Sequence, residues 1–186
     1  MKLVILDRDG VINHDSANFI KSPNEWVAIT GSLEAIALLN QSGFRVAIAT
    51  NQSGISRGLF DMTTLNNIHD KMHRELAVVG GRIDAIFYCP HAADDHCHCR
   101  KPDTGMIEEI GNRFSIELQG VPAVGDSLRD LQAFASAGCQ PILVLTGKGK
   151  KTLASASENL DKALPKDCWI CADLAEAVHR IVTELD

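Results

Sequence analysis

Short apolar segments alternate with helix-like segments along the chain, and this alternation restricts the possible folds more than any other feature. Uniformly apolar strands separated by helices are typical of a parallel sheet covered on both faces. We therefore predict an α/β fold with a Rossmann-like, doubly wound parallel sheet. The strand-like segments are residues 2–6, 44–49, 83–88, 121–124, 141–145 and a short one at 169–170. The clearest helix-like segments are residues 33–39, for which Ser32 is the expected cap, 63–79, 104–114, 128–137 and 173–185.

Size and charge narrow the class of protein further. With 186 residues, the chain is expected to form a single domain over residues 1–186. It has 18 lysines and arginines against 24 acidic residues, so the basic surface of a nucleic-acid-binding protein is not expected. No apolar run is long enough to span a membrane, and Asp7 interrupts the first one too early for a signal peptide. We expect a cytoplasmic monomer that binds neither membranes nor nucleic acid.

Charged and hydroxyl side chains follow the predicted strands. Ligands of open α/β sheets bind at the carboxyl ends of the strands, so the residues at these ends are candidates for a site. Asp7 and Asp9 are two residues apart and, in extended backbone, project to the same side. The strand-end residues are Asp7 and Asp9 after the first strand, Thr50 and Asn51 after the second, Arg100 and Lys101 in the loop after the third, and Asp126 and Asp130 after the fourth.

Acids gathered at one edge of a sheet suit a hard divalent cation. Carboxylate oxygens are ligands that Mg²⁺ prefers, and Asp7, Asp9 and Asp126 would repel one another without a cation. Mg²⁺ and a lysine would also allow a carboxylate to approach an anionic phosphate ester, with Thr50 and Lys101 donating to the phosphoryl oxygens. Each motif taken alone could be a solvated turn or a helix cap. Their joint occurrence at strand ends favours a phosphate site.

Taken in their order along the chain, the strand-end motifs resemble the four signature motifs of the haloacid dehalogenase (HAD) superfamily of phosphatases. The matching residues are Asp7-x-Asp9-Gly10, Thr50-Asn51, Lys101 and Gly125-Asp126-x-x-x-Asp130, and the resemblance covers residues 2 to about 145. It implies a Rossmann-like core, with Asp7 as the phosphorylated nucleophile and Asp9 as general acid and base. It also implies a catalytic Mg²⁺ held by Asp7, the Asp9 backbone carbonyl and Asp126, and oriented by Asp130.

Four cysteines and histidines in one polar loop have the spacing of a metal site. Cys89, His91, Cys97 and Cys99 form a Cys-x-His-x5-Cys-x-Cys pattern, and three thiolates with one imidazole make a closed, structural zinc set. The alternatives are that His96 or His98 replaces His91, or that the cysteines are unrelated core residues. We predict a structural Zn²⁺ in the loop 89–99, which would carry Arg100 and Lys101 to the sheet edge.

The zinc loop beside the phosphatase motifs resembles two related families, the heptose bisphosphate phosphatases and the histidinol-phosphatases. Residues 50–58 and 100–106 resemble the first family, whereas the short spacing within the zinc loop is closer to the second. We favour the first, because those two segments would contact the substrate. This resemblance implies an enzyme that releases the 7-phosphate of a heptose 1,7-bisphosphate on the way to the heptose of lipopolysaccharide. It also implies an open site without a large cap domain. The implied substrate residues are Asp15, Asn18, Thr50, Asn51, Gln52, Ser53, Arg100 and Lys101.

The sequence departs from the pattern of the resembled family at two positions, and two functions other than sugar phosphate hydrolysis stay open. Asn18 stands where an aromatic residue is frequent, and Ser127 stands where some relatives carry lysine, which affects the expected substrate contacts. The rivals are an inactive, zinc-organised binding module and a polynucleotide end-phosphatase, the second disfavoured by the acidic net charge. Arg57 is either a contact for the distal phosphate or a surface charge.

Some residues with suggestive spacing are expected to have no special role. His69 and His73 have metal-ligand spacing on a helix but lack a third ligand, so we expect exposed side chains. We expect Cys168 and Cys171 to lie in a strand, and residues 147–150 to form a solvated loop.

Overall fold

A computed structural model describes residues 1–184, which are built around one six-stranded sheet. The strands are β1 (Lys2–Leu6), β2 (Phe44–Asn51), β3 (Ala85–Cys89), β4 (Pro122–Gly125), β5 (Gln140–Val144) and β6 (Trp169–Cys171). They lie in the order β3-β2-β1-β4-β5-β6, and every neighbouring pair is parallel. The chain therefore builds outward from β1 to one edge and then from β4 to the other, which is the doubly wound arrangement. The predicted α/β class is confirmed.

Helices cover both faces of this sheet. The α-helices are α1 (Ser32–Gln41), α2 (Met62–Val78), α3 (Gly105–Phe114), α4 (Leu128–Ser136), α5 (Gly149–Glu158) and α6 (Leu174–Glu184). Helices α1, α2 and α6 share a buried cluster with Val4 and Leu6, while α3 and α4 share a second cluster with Leu3 and Ile5. Side chains alternate between the faces of a strand, so β1 contributes to both cores. This explains why the strand is apolar at every position.

The starts of two helices show how local sequence sets their positions. Helix α2 begins at Met62 because Asp61 caps it, its Oδ1 atom accepting a hydrogen bond of 2.8 Å from the Thr64 backbone N–H. The expectation that Ser32 caps α1 is wrong, since Ser32 is the first helical residue and Gly31 precedes it. The Ser32 hydroxyl instead donates to the Ile12 carbonyl oxygen at 2.7 Å. This bond ties the loop after β1 to the helix.

The loops at the carboxyl edge of the sheet contain little regular secondary structure. Residues 7–31 and 90–104 contain one 3₁₀ turn each, Pro23–Glu25 and Ala93–Asp95. The first loop is held down by the buried side chains of Ile12 and Trp26. Within residues 1–184 there is no large cap domain, as predicted. In the same residues, no helix combines the length and the apolar composition needed to cross a membrane.

Candidate active site

The carboxyl ends of β1, β2 and β4 surround a pocket of about 330 Å³. It lies beside β1 and β4, where the strand order reverses and where sheets of this kind bind ligands. Asn18 is the predicted site residue that lies outside this pocket; it is exposed and borders a neighbouring depression. The predicted residues that line the pocket are Asp7, Asp9, Asp15, Thr50, Asn51, Gln52, Ser53, Arg100, Lys101, Asp126 and Asp130.

Lys101 is a buried cation of this pocket. Its Nζ atom lies 2.7 Å from Asp130 Oδ1, 3.1 Å from Asp7 Oδ1 and 2.7 Å from the Ala49 carbonyl oxygen. Burial opposes the charged amine, but Asp130 and Asp7 outweigh it and raise the pKa of Lys101. Two reciprocal hydrogen bonds, of 3.0 and 3.2 Å, join the Lys101 backbone to the Asn51 side chain at the end of β2. Lys101 is therefore a charged donor held against Asp7.

Asp7, Asp126 and Asp130 form an acidic cluster in which one carboxylate oxygen of each residue lies within 4.8 Å of one oxygen of each of the other two. Burial raises the pKa of Asp7 to about 7, and burial with the charge of Asp130 raises the pKa of Asp126 to about 8. Both Asp130 oxygens are occupied, one by Lys101 and the other by the Ser127 N–H and hydroxyl. In residues 1–184 no hydrogen bond reaches Asp7 Oδ2 or Asp126 Oδ1. These two oxygens fit a divalent cation.

Two glycines make room for the Asp126 carboxylate. A Cβ atom at Gly10 would lie 2.0 Å from Asp126 Oδ2, and one at Gly147 would lie 2.2 Å from the same oxygen. Lys148, the next residue, donates its backbone N–H to this oxygen at 2.7 Å, and its Nζ atom lies 2.8 Å from Asp15 Oδ2. Of the solvated loop expected at residues 147–150, residues 147 and 148 are an exposed turn as predicted, whereas α5 already begins at Gly149. The position of the segment directly after β5 was the signal that could have indicated this role.

Asp9 is held by donors on several sides. The Arg8 guanidinium donates to both Asp9 oxygens at 3.0–3.2 Å, Asn13 Nδ2 to Oδ1 at 2.8 Å, and Gln52 Nε2 to Oδ2 at 2.9 Å. Burial opposes ionisation of Asp9, but the Arg8 charge and these hydrogen bonds lower its pKa. Gln52 Nε2 also lies 2.9 Å from Thr50 Oγ1. Gln52 thus links the predicted acid–base residue to a predicted phosphoryl donor.

The expectation that His69 is exposed is wrong. Its side chain on α2 is buried, and His69 Nε2 lies 3.2 Å from Nη1 of the fully buried Arg8. His73, one helical turn further along, is exposed. Helical spacing alone could not separate the two histidines, because the partner of His69 comes from the distant end of β1.

The predicted zinc ligands come together in the loop after β3. Five of the six separations between Cys89 Sγ, His91 Nδ1, Cys97 Sγ and Cys99 Sγ lie between 3.4 and 3.6 Å. Four ligands at zinc bonding distances, arranged as a tetrahedron, would be separated by about 3.5–3.8 Å. The donor types and the separations therefore fit Zn²⁺ with His91 as the imidazole ligand.

A set of cationic side chains lines the outer part of the pocket. Arg100 Nη1 donates to the His91 carbonyl oxygen at 3.1 Å, which connects this side chain to the cysteine–histidine cluster. Arg57 also lines the pocket, and its guanidinium lies 5.9 Å from the centre of the Phe19 ring. Arg129 and Lys148, which were not expected here, complete the set. Arg129 could have been suspected from its place between Asp126 and Asp130.

Comparisons with known proteins agree with this geometry. Residues 98–177 match the HAD-hydrolase-like family, and residues 2–129 match the polynucleotide kinase 3 phosphatase family. The chain is 59% identical over 184 residues to a D-glycero-beta-D-manno-heptose-1,7-bisphosphate 7-phosphatase of Bordetella bronchiseptica, with 99% of each chain covered. It is 49% identical to the protein of the same name from Pseudomonas aeruginosa, with 97% of each covered.

Two solved structures of D,D-heptose 1,7-bisphosphate phosphatases have the same fold. The B. bronchiseptica structure, a complex with magnesium and phosphate, has a TM-score of 0.94, 59% identity and 99% coverage of both chains. The Burkholderia thailandensis structure has a TM-score of 0.78 and 50% identity, covering 99% of this chain and 100% of the other.

A doubly wound sheet that carries this set of acids and a lysine at its carboxyl edge defines a phosphatase of the HAD superfamily. Together with the full-length similarity, it places the chain in a narrower group. The chain belongs to the D-glycero-β-D-manno-heptose-1,7-bisphosphate 7-phosphatase family.

Proposed function

We propose that this chain is an Mg²⁺-dependent phosphatase that removes the 7-phosphate of D-glycero-D-manno-heptose 1,7-bisphosphate. The observation that carries the proposal is the contact of 3.1 Å between Lys101 Nζ and Asp7 Oδ1 in a pocket with a free oxygen on Asp7 and on Asp126. The names of the full-length relatives support the choice of substrate. The proposed role is a cytoplasmic step in making the heptose precursor of the lipopolysaccharide core.

The proposed reaction has two steps, both centred on Asp7. An Asp7 carboxylate oxygen attacks phosphorus while the bond to the sugar oxygen breaks, and Asp9 delivers a proton to that oxygen. Water then attacks the aspartyl-phosphate, Asp9 accepts a proton from it, and inorganic phosphate leaves with Asp7 restored. The lowered pKa of Asp9 keeps it ionised for the second step. The proton for the first step arrives with the substrate, whose phosphate carries an ionisable hydroxyl. The proton that Asp9 takes from water in the second step leaves with the inorganic phosphate, so Asp9 is ionised again at the end of the cycle.

Magnesium would be held by Asp7, Asp126 and the backbone carbonyl of Asp9. When bound, the ion would neutralise the negative charge between the carboxylates and the phosphoryl oxygens. The chain's own contribution is a charged Lys101 that Asp130 holds beside Asp7, and a Thr50 hydroxyl oriented by Gln52. Both can donate to phosphoryl oxygens as negative charge develops on them.

The outer pocket suits the sugar and the second phosphate. Arg100 presents a planar guanidinium at the wall and Arg57 a second one, and this geometry favours bidentate contacts to phosphate or to hydroxyl pairs. Asp15 can accept hydrogen bonds from sugar hydroxyls. A substrate with two phosphates would use the inner acids and lysine at one end and these cations at the other.

We also propose that Cys89, His91, Cys97 and Cys99 hold a structural Zn²⁺. The hydrogen bond from Arg100 to the His91 carbonyl supports a role for this ion in positioning the outer pocket. A closed set of four protein ligands leaves no position for substrate, so the proposed role is architectural.

The function is tested by measuring phosphate release with saturating Mg²⁺ from heptose 1,7-bisphosphate, histidinol phosphate and a 3′-phosphorylated oligonucleotide. The heptose substrate should be turned over far faster than the other two. Asp7→Asn should abolish turnover while leaving the unfolding temperature within a few degrees of wild type. Preferential turnover of histidinol phosphate or of the oligonucleotide, or an active Asp7→Asn variant, would contradict the proposal.

A further inference from the structure

We propose that His69, on helix α2, is a positioning residue that orients Asp9 through the buried side chain of Arg8. The inference rests on the proposed phosphatase activity, in which Asp9 moves the protons. It assigns a role in catalysis to a histidine that lies outside the pocket.

The contacts form a continuous chain from α2 to the pocket. His69 Nε2 lies 3.2 Å from Arg8 Nη1, and Arg8 Nη2 lies 3.0 Å from Asp9 Oδ1 and 3.1 Å from Asp9 Oδ2. Arg8 is 0% exposed and His69 is 7% exposed, so water has little access to this pair. A buried guanidinium needs acceptors for its N–H groups, and His69 supplies one that the sheet and the loop after β1 do not.

The chemistry of the two side chains fixes the direction of this hydrogen bond. Arginine has only donors, so His69 Nε2 must be the acceptor and the ring proton must lie on Nδ1. Burial, followed by the charges of Arg8 and His73, lowers the pKa of His69 to about 3, although Asp9 acts in the opposite direction. The ring therefore stays neutral near pH 7. A neutral acceptor holds the Arg8 guanidinium at a fixed angle and does not compete with the Asp9 carboxylate for its positive charge.

The consequence concerns proton transfer rather than substrate binding. If Arg8 can rotate, the Asp9 carboxyl loses two of its fixed donors and moves away from the leaving oxygen. Misplacing a catalytic group by about 1 Å can cost on the order of 100-fold in rate. Substrate binding should change little, because neither His69 nor Arg8 lines the pocket. The loss should therefore appear in kcat, with KM nearly unchanged.

The experiment uses the full chain with Mg²⁺ and compares His69→Leu, His69→Gln and His73→Leu with wild type. Leucine removes the acceptor, glutamine keeps one, and His73 is an exposed neighbour on the same helix, which makes it the matched control. Two substrates are needed. The heptose bisphosphate has an alcohol leaving group that requires a proton, whereas p-nitrophenyl phosphate or acetyl phosphate has a leaving group that departs as an anion.

With His69→Leu, we expect kcat/KM for the heptose substrate to fall about 10- to 100-fold and for the activated phosphate to fall less than about threefold. His69→Gln should recover most of the loss, and His73→Leu should match wild type. If His69→Leu does not fold, His69→Asn, which is polar but too short to reach Arg8, takes its place. Equal losses for both substrates, or a glutamine variant as impaired as leucine, would overturn the inference. Wild-type inactivity on both substrates would instead overturn the proposed function.

Discussion

Asp130 contacts Lys101 more closely than Asp7 does, with 2.7 Å between Oδ1 and Nζ against 3.1 Å, although Asp7 is the proposed nucleophile. Asp130 also accepts two hydrogen bonds from Ser127 at the start of α4. Its carboxylate is therefore saturated by protein donors and holds the lysine in place. The arrangement gives Asp130 a supporting role beside the acids that are free to bind a cation.

Asp130→Asn should weaken catalysis without abolishing it. The amide retains the shape of the side chain but removes the charge that helps raise the pKa of Lys101. Removing a residue that orients a metal-binding or catalytic group typically lowers metal affinity or activity about 10- to 100-fold. We therefore expect a loss of this size in kcat or in activation by Mg²⁺. Steady-state kinetics over a Mg²⁺ series measures it. Glu117→Gln, at an exposed acid far from the pocket lining, is the control and should behave as wild type.

Gly10→Ala should remove activity by displacing Asp126. The new Cβ atom would lie 2.0 Å from Asp126 Oδ2, and φ at this position is 85°. Gly43→Ala is a matched control, since its φ is 83° but no atom lies within 4 Å of the added Cβ. The left-handed backbone costs about 1–2 kcal/mol in both variants. We expect both to be destabilised, but only Gly10→Ala to lose Mg²⁺ binding and turnover. Equal activities of the two variants would contradict the prediction, because they would show that the added Cβ atom is accommodated without displacing Asp126.

The acidic cluster should make the metal-free protein less stable as pH rises. The folded-state pKa values of Asp7 and Asp126, about 7 and about 8, lie above the ordinary value of 3.8, so the folded state binds protons more tightly. This contribution to stability is complete below pH 4 and is lost as pH rises through 7 to 8. In EDTA, Asp126→Asn should therefore have a higher Tm than wild type at pH 8.5 and a similar Tm at pH 5.

Two further measurements make this pH prediction specific to the cluster. Added Mg²⁺ should raise the Tm of wild type at pH 8.5 more than that of Asp126→Asn, because a cation stabilises the ionised acids. Asp103→Asn, at an exposed acid, should follow wild type throughout. A wild-type Tm that exceeds that of Asp126→Asn in EDTA at pH 8.5 would contradict the assigned repulsion.

Cys97→Ser should lose the bound zinc and weaken substrate binding. Structural zinc sites contribute directly to folding, and the Arg100 contact to His91 depends on the loop that the ion would hold. We expect wild type to carry about one zinc per chain by elemental analysis, and Cys97→Ser to carry much less, with a lower Tm and a raised KM. Cys168→Ser, outside the cluster, is the control. If elemental analysis found no zinc in wild-type protein from cells grown in zinc-supplemented medium, the prediction would be wrong.

The sheet and most of the pocket were accessible from the sequence because they depend on short-range patterns. Continuous apolar strands specify a buried parallel sheet, and the carboxyl ends of such strands meet at one edge, so Asp7, Thr50 and Asp126 could be placed together. The predicted zinc ligands could also be proposed from the sequence, because the spacing of the cysteines is a short-range pattern. The single-domain assignment, the roles of the site residues and the monomeric state stay predictions.

The positions that sequence patterns misjudged depend on contacts between distant segments. His69 is buried because Arg8, 61 residues earlier, needs an acceptor, and no helical periodicity reports that need. Lys148 reaches the site through Asp126 and Asp15, which belong to two other loops. Asn18 was expected at the substrate, yet the course of the loop after β1 leaves it outside the pocket.

The lack of a cap domain over the carboxyl edge, within residues 1–184, also bears on what happens to the phosphoryl group. The walls of the pocket come from the loops after β1, β2 and β3, from the start of α4 and from Lys148, and within residues 1–184 no second domain closes over Asp7. Bulk solvent can then reach a phosphorylated Asp7 as soon as the sugar departs. Such exposure favours a hydrolase over a mutase, which would have to shelter its phosphoenzyme until a second alcohol arrived.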